Sequence, residues 1–350
     1  MRLNVLHVAY PLAPVAAETS GGAEQVLLQI DRALMKRGHK SYVVACAGSR
    51  VAGRLIVAAP FRLRLDEKAK REAQAAHDAV IRTALRRFPV DLVHMHGIDF
   101  HAYLPPAGVP TLVSLHLPLS WYPPDALACN RPGTWLHCVS QAQHRTAPPG
   151  VDLLAPIENG VDVESFVLRR KRNFALFLGR ICPEKGVHLA IEAAERAGLP
   201  LLIAGQVFEY PEHRDYFEHA VAPKLSRSCR FIGAAGPSAK RRLLAQAQCV
   251  LIPSLAEETS SLVAREALAA GTPVVAFRRG ALAETIGHGR TGFLVEDAAE
   301  MASAISHASS IDPEFCRAEA RRRFPLSRTI DEYFTLYRSL TRIAAPPVFA

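Results

Sequence analysis

FLGRICPEKG (Phe177–Gly186) carries two cations, Arg180 and Lys185, on either side of a short turn. The stretch reads as a strand ending in Gly179-Arg180, after which Lys185-Gly186 opens a helix. Unpaired N–H groups at a helix start, with the helix dipole, already attract anions. Two added cations make a clamp for a diphosphate, each charge-assisted hydrogen bond being worth about 1.5–3 kcal/mol. A lone Arg or Lys is more often a solvated surface charge; the pairing and its place reverse that preference.

A second stretch, EETSSLVAREALAAGTPVVAF (Glu257–Phe277), holds Glu258 and Glu266. Thr259, Ser260 and Ser261 are N-cap types. Leu262, Val263 and Ala267 have the spacing of a core-facing helix, and Gly271 and Pro273 end it. Eight helical residues turn about 80° beyond two full turns, which would bring both acids toward one side. Carboxylates beside an anion-attracting helix start do not bind phosphate, but each can accept paired hydrogen bonds from a diol. The plainer alternatives are dipole compensation for Glu258 and a surface acid for Glu266.

SGGAE (Ser20–Glu24) places Gly21 and Gly22 at the mouth of a helix, where bare backbone lets a phosphate approach closely. A simple helix-entry turn explains the pair equally well. No G-x-G-x-x-G spacing supports a dinucleotide fingerprint, and no G-K-[ST] P-loop occurs. Histidines stand at strand ends: His94 and His96 in HMHG, His116 in SLH. His94-x-His96 has metal-ligand types, but no neighbouring acid or histidine completes a set, so no metal site is expected. His116 precedes the Pro-rich, aromatic LPLSWYPPD with Trp121, a loop that could cover a substrate.

The elements that must position these residues alternate strand and helix almost throughout. Apolar runs at Asn4–Tyr10, Ser41–Gly48, Asp91–Gly97, Thr111–His116 and Leu136–Ser140 read as strands in the first half. Phe174–Arg180, Leu201–Gln206, Arg230–Gly236, Cys249–Leu255, Thr272–Phe277 and Thr291–Asp297 read as strands in the second. Continuous apolar strands between helices imply parallel sheets covered on both faces. The polar stretch Glu158–Asn173 marks a divide, giving an N-terminal domain 1–165, a C-terminal domain 166–325 and a last amphipathic helix within 326–350. In open α/β sheets ligands bind beyond the carboxyl ends of the strands.

The 350 residues suit two domains, and 49% hydrophobic content supports sizeable cores. A net charge of +9 suits phosphate-bearing or other acidic partners. No aromatic residues interleave with the basic runs, so nucleic acid is not an expected partner. Seven scattered cysteines without a Cys-x-x-Cys pair argue against a disulfide scaffold or zinc ribbon and for a reducing compartment. No apolar run approaches the roughly 18 residues of a membrane span. Asn4, His7 and two prolines break up the weakly leader-like start, which reads better as a first strand. The basic segment Lys68–Arg87 reads as the solvated face of a covering helix, with a weak peripheral contact to an anionic membrane as its alternative.

These motifs, in this order, resemble the retaining glycosyltransferases of family 4, with their GT-B fold. The resemblance runs from GGAE through HMHG, SLH, CVS, IENGVD, FLGRICPEKG, IAGQ, FIGA and the E-x7-E run to GRTGFLVED. It implies an α/β chain of two Rossmann-like α/β/α domains facing across a cleft, the first binding acceptor and the second the donor, with the C-terminal helix packing back toward the first. It implies that Gly21 and Gly22 approach the diphosphate of a nucleoside diphosphate sugar and that Arg180 and Lys185 neutralise it as it leaves. Backbone groups at Ser260, Ser261, Leu262 and Val263 would meet the distal phosphate. Glu266 would hold the ribose and Glu258 the transferred sugar, with His116 near the reacting centre. Gly179 and the loop Ile232–Gly236 would complete the donor site; Glu24, His96 and Trp121 would lie on the acceptor side.

The implied reaction moves a hexose-type sugar to a hydroxyl of a glycan, a lipid-linked or a small-molecule acceptor, in polysaccharide, lipopolysaccharide or other glycoconjugate synthesis. It implies no cofactor and no metal, and a cytoplasmic place, with the inner face of the membrane as the alternative. A GT-B nucleotide-sugar epimerase and a non-catalytic sugar-nucleotide binding module are the competing readings. Two departures stand out. Thr259-Ser260-Ser261 replaces the family's frequent Pro-Phe-Gly, which bears on the donor sugar. The loop Leu117–Trp135 is short and carries Pro118, Trp121, Pro123 and Pro124, which bears on the acceptor.

Overall fold

The computed structural model describes residues 2–19, 21–58, 60 and 66–343. The chain divides into two compact units, Met1–Glu158 with Thr329–Ala350, and Asn159–Arg328. Each is built on one six-stranded sheet whose pairings are all parallel among the described residues.

In the first unit β1 (Asn4–Val8), β2 (Lys40–Ala45), β3 (Arg54–Val57), β4 (Leu92–Met95), β5 (Thr111–Leu115) and β6 (Thr134–Cys138) lie in the order β3-β2-β1-β4-β5-β6. The second unit has β7 (Ala175–Arg180), β8 (Leu201–Gln206), β9 (Cys229–Phe231), β10 (Cys249–Ile252), β11 (Val274–Phe277) and β12 (Gly292–Val295). Their order, β12-β11-β10-β7-β8-β9, is the same doubly wound topology. The central strands β4, β5, β10 and β11 are buried along their whole length, so they read as continuous apolar runs rather than alternating ones.

Three differences from the sequence reading have physical causes. β3 was not expected, because RLIV is short, half exposed and at a sheet edge. β9 stops at Phe231, and Ile232–Gly236 is loop, with Gly233 at φ +71°. The divide falls at Glu158 rather than after residue 165, because Val161, Val163 and Phe166 are buried in the core of the second unit. Val161 also takes a backbone hydrogen bond at 2.9 Å to Phe324, closing that unit where the chain leaves it.

The C-terminal helix Leu326–Ile343 belongs with the first unit from Thr329 onward; residues 344–350 of the expected segment lie outside the described residues. Tyr333 and Tyr337 are fully buried on its packed face, and Phe334 lies 5.1 Å from the ring of His39. The basic helix Glu67–Arg87 buries Ala69, Ala73, His77, Ile81 and Ala84 as one stripe and exposes most of its Lys and Arg residues. No described helix is long and apolar enough to cross a membrane.

Candidate functional site

β7 and β10 are neighbouring parallel strands, so the loops that follow them leave the same sheet edge. Those loops are stitched together: the Leu255 N–H donates to the Glu184 carbonyl at 2.8 Å. Gly186 is in the left-handed region at φ +63°, and a Cβ there would stand 2.2 Å from the Pro253 carbonyl oxygen. This close approach brings Lys185 from the first loop to Glu258 in the second.

Lys185 forms an ion pair with Glu258, and the Ser254 hydroxyl donates to the same carboxylate oxygen, Oε1. The Glu258 side chain is 9% exposed and that of Lys185 28%. Burial by itself would raise the Glu258 carboxyl. The Lys185 charge and hydrogen bond, the Ser254 hydroxyl and the Arg180 guanidinium outweigh it and hold the group below the usual carboxylate range. The Glu258 backbone is held from behind by the turn after β11. Ala281 donates to its carbonyl at 2.7 Å, and Gly280, at φ +52°, leaves room for it.

Glu258 therefore belongs to a loop, and helical phase does not relate it to Glu266. The helix begins at Leu262, with Ser261 at its N-cap position in the left-handed region at φ 51°, ψ 72°. Ser261 is the only non-glycine residue with positive φ among those described. That conformation costs roughly 1–2 kcal/mol, and such strain gathers at functional positions. The expected side-chain cap is absent: Ser261 makes no cap hydrogen bond. Ser260 is buried and its hydroxyl has no partner among the described residues. Its hydroxyl and the backbone N–H groups at the helix start are of the type an anionic oxygen would engage.

Glu266 is no surface acid. It is buried and paired with Lys240 at 2.6 Å. Lys240 lies on the helix Pro237–Gln246 that follows the loop after β9. Sequence reading missed it because its helix is joined to Glu266 only in space. Arg265, next along, is also buried, donating to the Asn159 carbonyl and stacking 4.6 Å above the Phe324 ring. Ile232, after β9, is 39% exposed, and its N–H donates to the Ile203 carbonyl at 2.9 Å. Gly179 is in β7, one residue before Arg180.

In the first unit Gly21 caps the helix Gly22–Lys36, and a Cβ on it would stand 1.8 Å from a carboxylate oxygen of Glu24. The bare backbone is thus occupied by the buried Glu24 side chain. Ser20, from the same motif, lies outside the described residues. Trp121 ends a short 3-10 turn and is 40% exposed.

The strand-end histidines prove to be parts of one buried polar ladder. His96 Nδ1 lies 3.1 Å from His116 Nε2, and His96 Nε2 lies 3.2 Å from His7 Nδ1. His94 is 2.7 Å from both the Tyr337 and the Ser114 hydroxyls, and Ser114 also meets His137. His96 is buried with both ring nitrogens engaged, one toward His7 and the other toward His116. Burial lowers every one of these rings, His116 and His7 to about 3 and His137 to about 4, so they are neutral at pH 7. The expectation that nothing completes a set with His94 and His96 is corrected, since one nitrogen from each of His7, His94 and His96 lies within 4.8 Å of the others. The signal was present as period-two polar residues inside apolar strands: 94 and 96, 114 and 116.

Two family models divide the chain between them. Glycosyltransferase Family 4 matches residues 20–165 and Glycosyl transferases group 1 matches residues 161–323. The chain belongs to the group 1, family 4 glycosyltransferases. Among curated relatives within that family's reach, it is 35% identical over 185 residues to a glycogen synthase of Mycobacterium tuberculosis, covering 49% of this chain and 44% of that one. It spans about half or less of the length of the curated relatives it first matches. The GT-B fold extends over the whole family member: a sucrose-phosphate synthase of Thermosynechococcus elongatus superposes with TM-score 0.79 at 20% identity, covering 98% of this chain and 100% of that one. Anabaena HepE in complex with UDP-glucose superposes with TM-score 0.75 at 18% identity, covering 97% and 100%.

Proposed function

We propose that the protein is a retaining, metal-independent hexosyltransferase that takes its sugar from a nucleoside diphosphate sugar. The observation that carries this reading is the buried Lys185–Glu258 pair beside Arg180, on the sheet edge whose neighbouring loop holds the open helix start at Ser261–Leu262. Arg180, Lys185 and that helix start take up the charge of the leaving diphosphate, as electrostatic stabilisation of the transition state requires. Glu258 accepts hydrogen bonds from hydroxyls of the transferred sugar and Glu266 from the ribose. His116, neutral and backed by His96, donates one hydrogen bond near the reacting carbon. The acceptor hydroxyl attacks on the face the diphosphate leaves, and the departing phosphate takes its proton. No step in this scheme calls on a metal.

The second unit, on this reading, binds the donor and the first the acceptor, a glycan, a lipid-linked sugar or a small molecule in glycoconjugate synthesis. UDP-glucose, held by the HepE neighbour, is the first donor to try. The test is thermal stabilisation across a panel of UDP-, GDP- and ADP-sugars, followed by donor turnover in Lys185→Ala and Glu258→Ala. A ligand at 100 times its Kd adds about 2.7 kcal/mol of stability, and each substitution is expected to lower turnover by about 10²–10³. Full turnover in both variants would sink the site assignment; donor conversion without any acceptor would identify an epimerase instead.

A further inference from the structure

We infer that Cys182, Glu184 and His213 form a zinc site that ties the loop after β7 to the helix Pro211–Tyr216 after β8. One ligand atom from each of the three lies within 4.8 Å of the others. Zinc holds nitrogen, oxygen and sulfur at about 2.0–2.3 Å in a tetrahedron, so its ligands stand about 3.3–3.8 Å apart. A small side-chain adjustment closes the difference.

Two further observations point to a ligand. Glu184 Oε2 and His213 Nδ1 are both buried and lack a hydrogen-bond partner among the described residues. His213 is 7% exposed and Cys182 fully buried. A buried donor or acceptor left unmade costs about 1–3 kcal/mol, and two such atoms belong to residues of this set, whose thiol reaches only the Arg180 carbonyl at 3.9 Å and the Glu184 side chain. The set of His7, His94 and His96 contrasts with this one: His94 and His96 have both ring nitrogens engaged, and His7 Nε2 is the one ring nitrogen there without a partner among the described residues.

The donor set selects the ion. Thiolate, imidazole and carboxylate together suit zinc rather than magnesium or calcium. Thiolate and carboxylate cancel the double charge of the ion. That matters because Arg180 acts electrostatically on all three groups, and Lys185 on Cys182. Water supplies the fourth ligand. None of the three belongs to the groups assigned to the donor, but Glu184 is the residue whose carbonyl receives the Leu255 N–H, next to Lys185. A bound ion would therefore stiffen the segment that presents Lys185.

Cobalt(II) reports the site directly, because thiolate ligation produces a charge-transfer absorption that a histidine-only site cannot give. Titration of the metal-free protein with Co2+ is expected to saturate that band at one ion per chain. One equivalent of Zn2+ should then abolish it and raise Tm. Cys182→Ser should lose the band, and His213→Gln should keep it with at least tenfold weaker binding. Far-UV circular dichroism confirms that each variant is folded, and if Cys182→Ser does not fold, His213→Gln carries the test. No band in the wild type, a band that survives Cys182→Ser, or unchanged affinity in His213→Gln overturns the proposal.

Discussion

Lys185 and Glu258 are 73 residues apart in the chain and share an ion pair in a site where the carboxylate is almost wholly buried. Two adjacent parallel strands, and a glycine that lets their loops touch, make the pair. The pair sets the charge state of the site before any ligand arrives.

Removing Lys185 should therefore expose what burial does to Glu258. In Lys185→Met the desolvation that the cation now offsets pushes the carboxyl upward. The loss at pH 7 is expected to be about 3 kcal/mol, as for other broken buried pairs. The sign with pH follows from linkage. In the wild type the folded carboxyl lies below its ordinary value of 4.5, so its contribution is present above that pH and lost as pH falls through the folded value. In Lys185→Met the order reverses, and the variant should gain stability relative to the wild type as pH falls toward 4.5. Urea unfolding between pH 4 and 7 measures both curves; parallel curves would refute this account.

The histidine ladder makes the first unit sensitive to acid. His7, His116 and His137, lowered to about 3, 3 and 4, stay neutral in the fold while the unfolded chain takes up protons below 6.5. The unfolded state binds more protons in that window, so stability falls as pH drops from 6.5 toward 4. Each ring contributes roughly 2 kcal/mol of loss by pH 5, at 1.36 kcal/mol per pH unit. His137→Phe should flatten the slope of unfolding free energy against pH by about one proton, and an unchanged slope would exclude this ring as a contributor.

Gly186 and Gly38 offer a matched pair of alanine substitutions. Both have positive φ, +63° and +77°, and each alanine costs roughly 1–2 kcal/mol for the left-handed backbone. Only at Gly186 does the new methyl meet backbone, the Pro253 carbonyl; at Gly38 nothing lies within 4 Å. Gly186→Ala should move Lys185 and lower donor turnover at least tenfold, whereas Gly38→Ala should lose only stability. Equal turnover in the two variants would show that loop contact does not place Lys185.

On the proposed reading, the Lys240 ammonium and a ribose compete for the Glu266 carboxylate. Glu266→Gln should weaken nucleotide-sugar binding by about ten- to a hundredfold, the range of one or two charge-assisted hydrogen bonds. Lys240→Met removes the competitor and should bind as tightly as the wild type or tighter. Isothermal titration with the donor found in the panel gives both values, and a Lys240→Met as weak as Glu266→Gln would assign the ribose contact to Lys240 instead.

Much of the scaffold was legible because buried parallel strands write themselves as apolar runs. Leu201–Gln206 matches its expected bounds, and the other expected strands were found within a few residues. The edge strand β3 was not legible, since half-exposed residues lack that signature. The candidate site motifs drew notice where charged types stand close together in sequence, as Arg180 and Lys185 do.

The amino-acid sequence by itself determined the alternation of strands and helices, the two-unit plan and the charged groups at the strand ends, because these depend on local pattern and on spacing. Tertiary structure alone decided who meets whom. It gave Glu258 to Lys185 and Glu266 to Lys240, set His96 behind His116, filled the bare backbone of Gly21 with Glu24, and drew His213 to Cys182 and Glu184. Such pairings depend on strand order and loop contact between residues far apart in the chain, and neither composition nor periodicity records that.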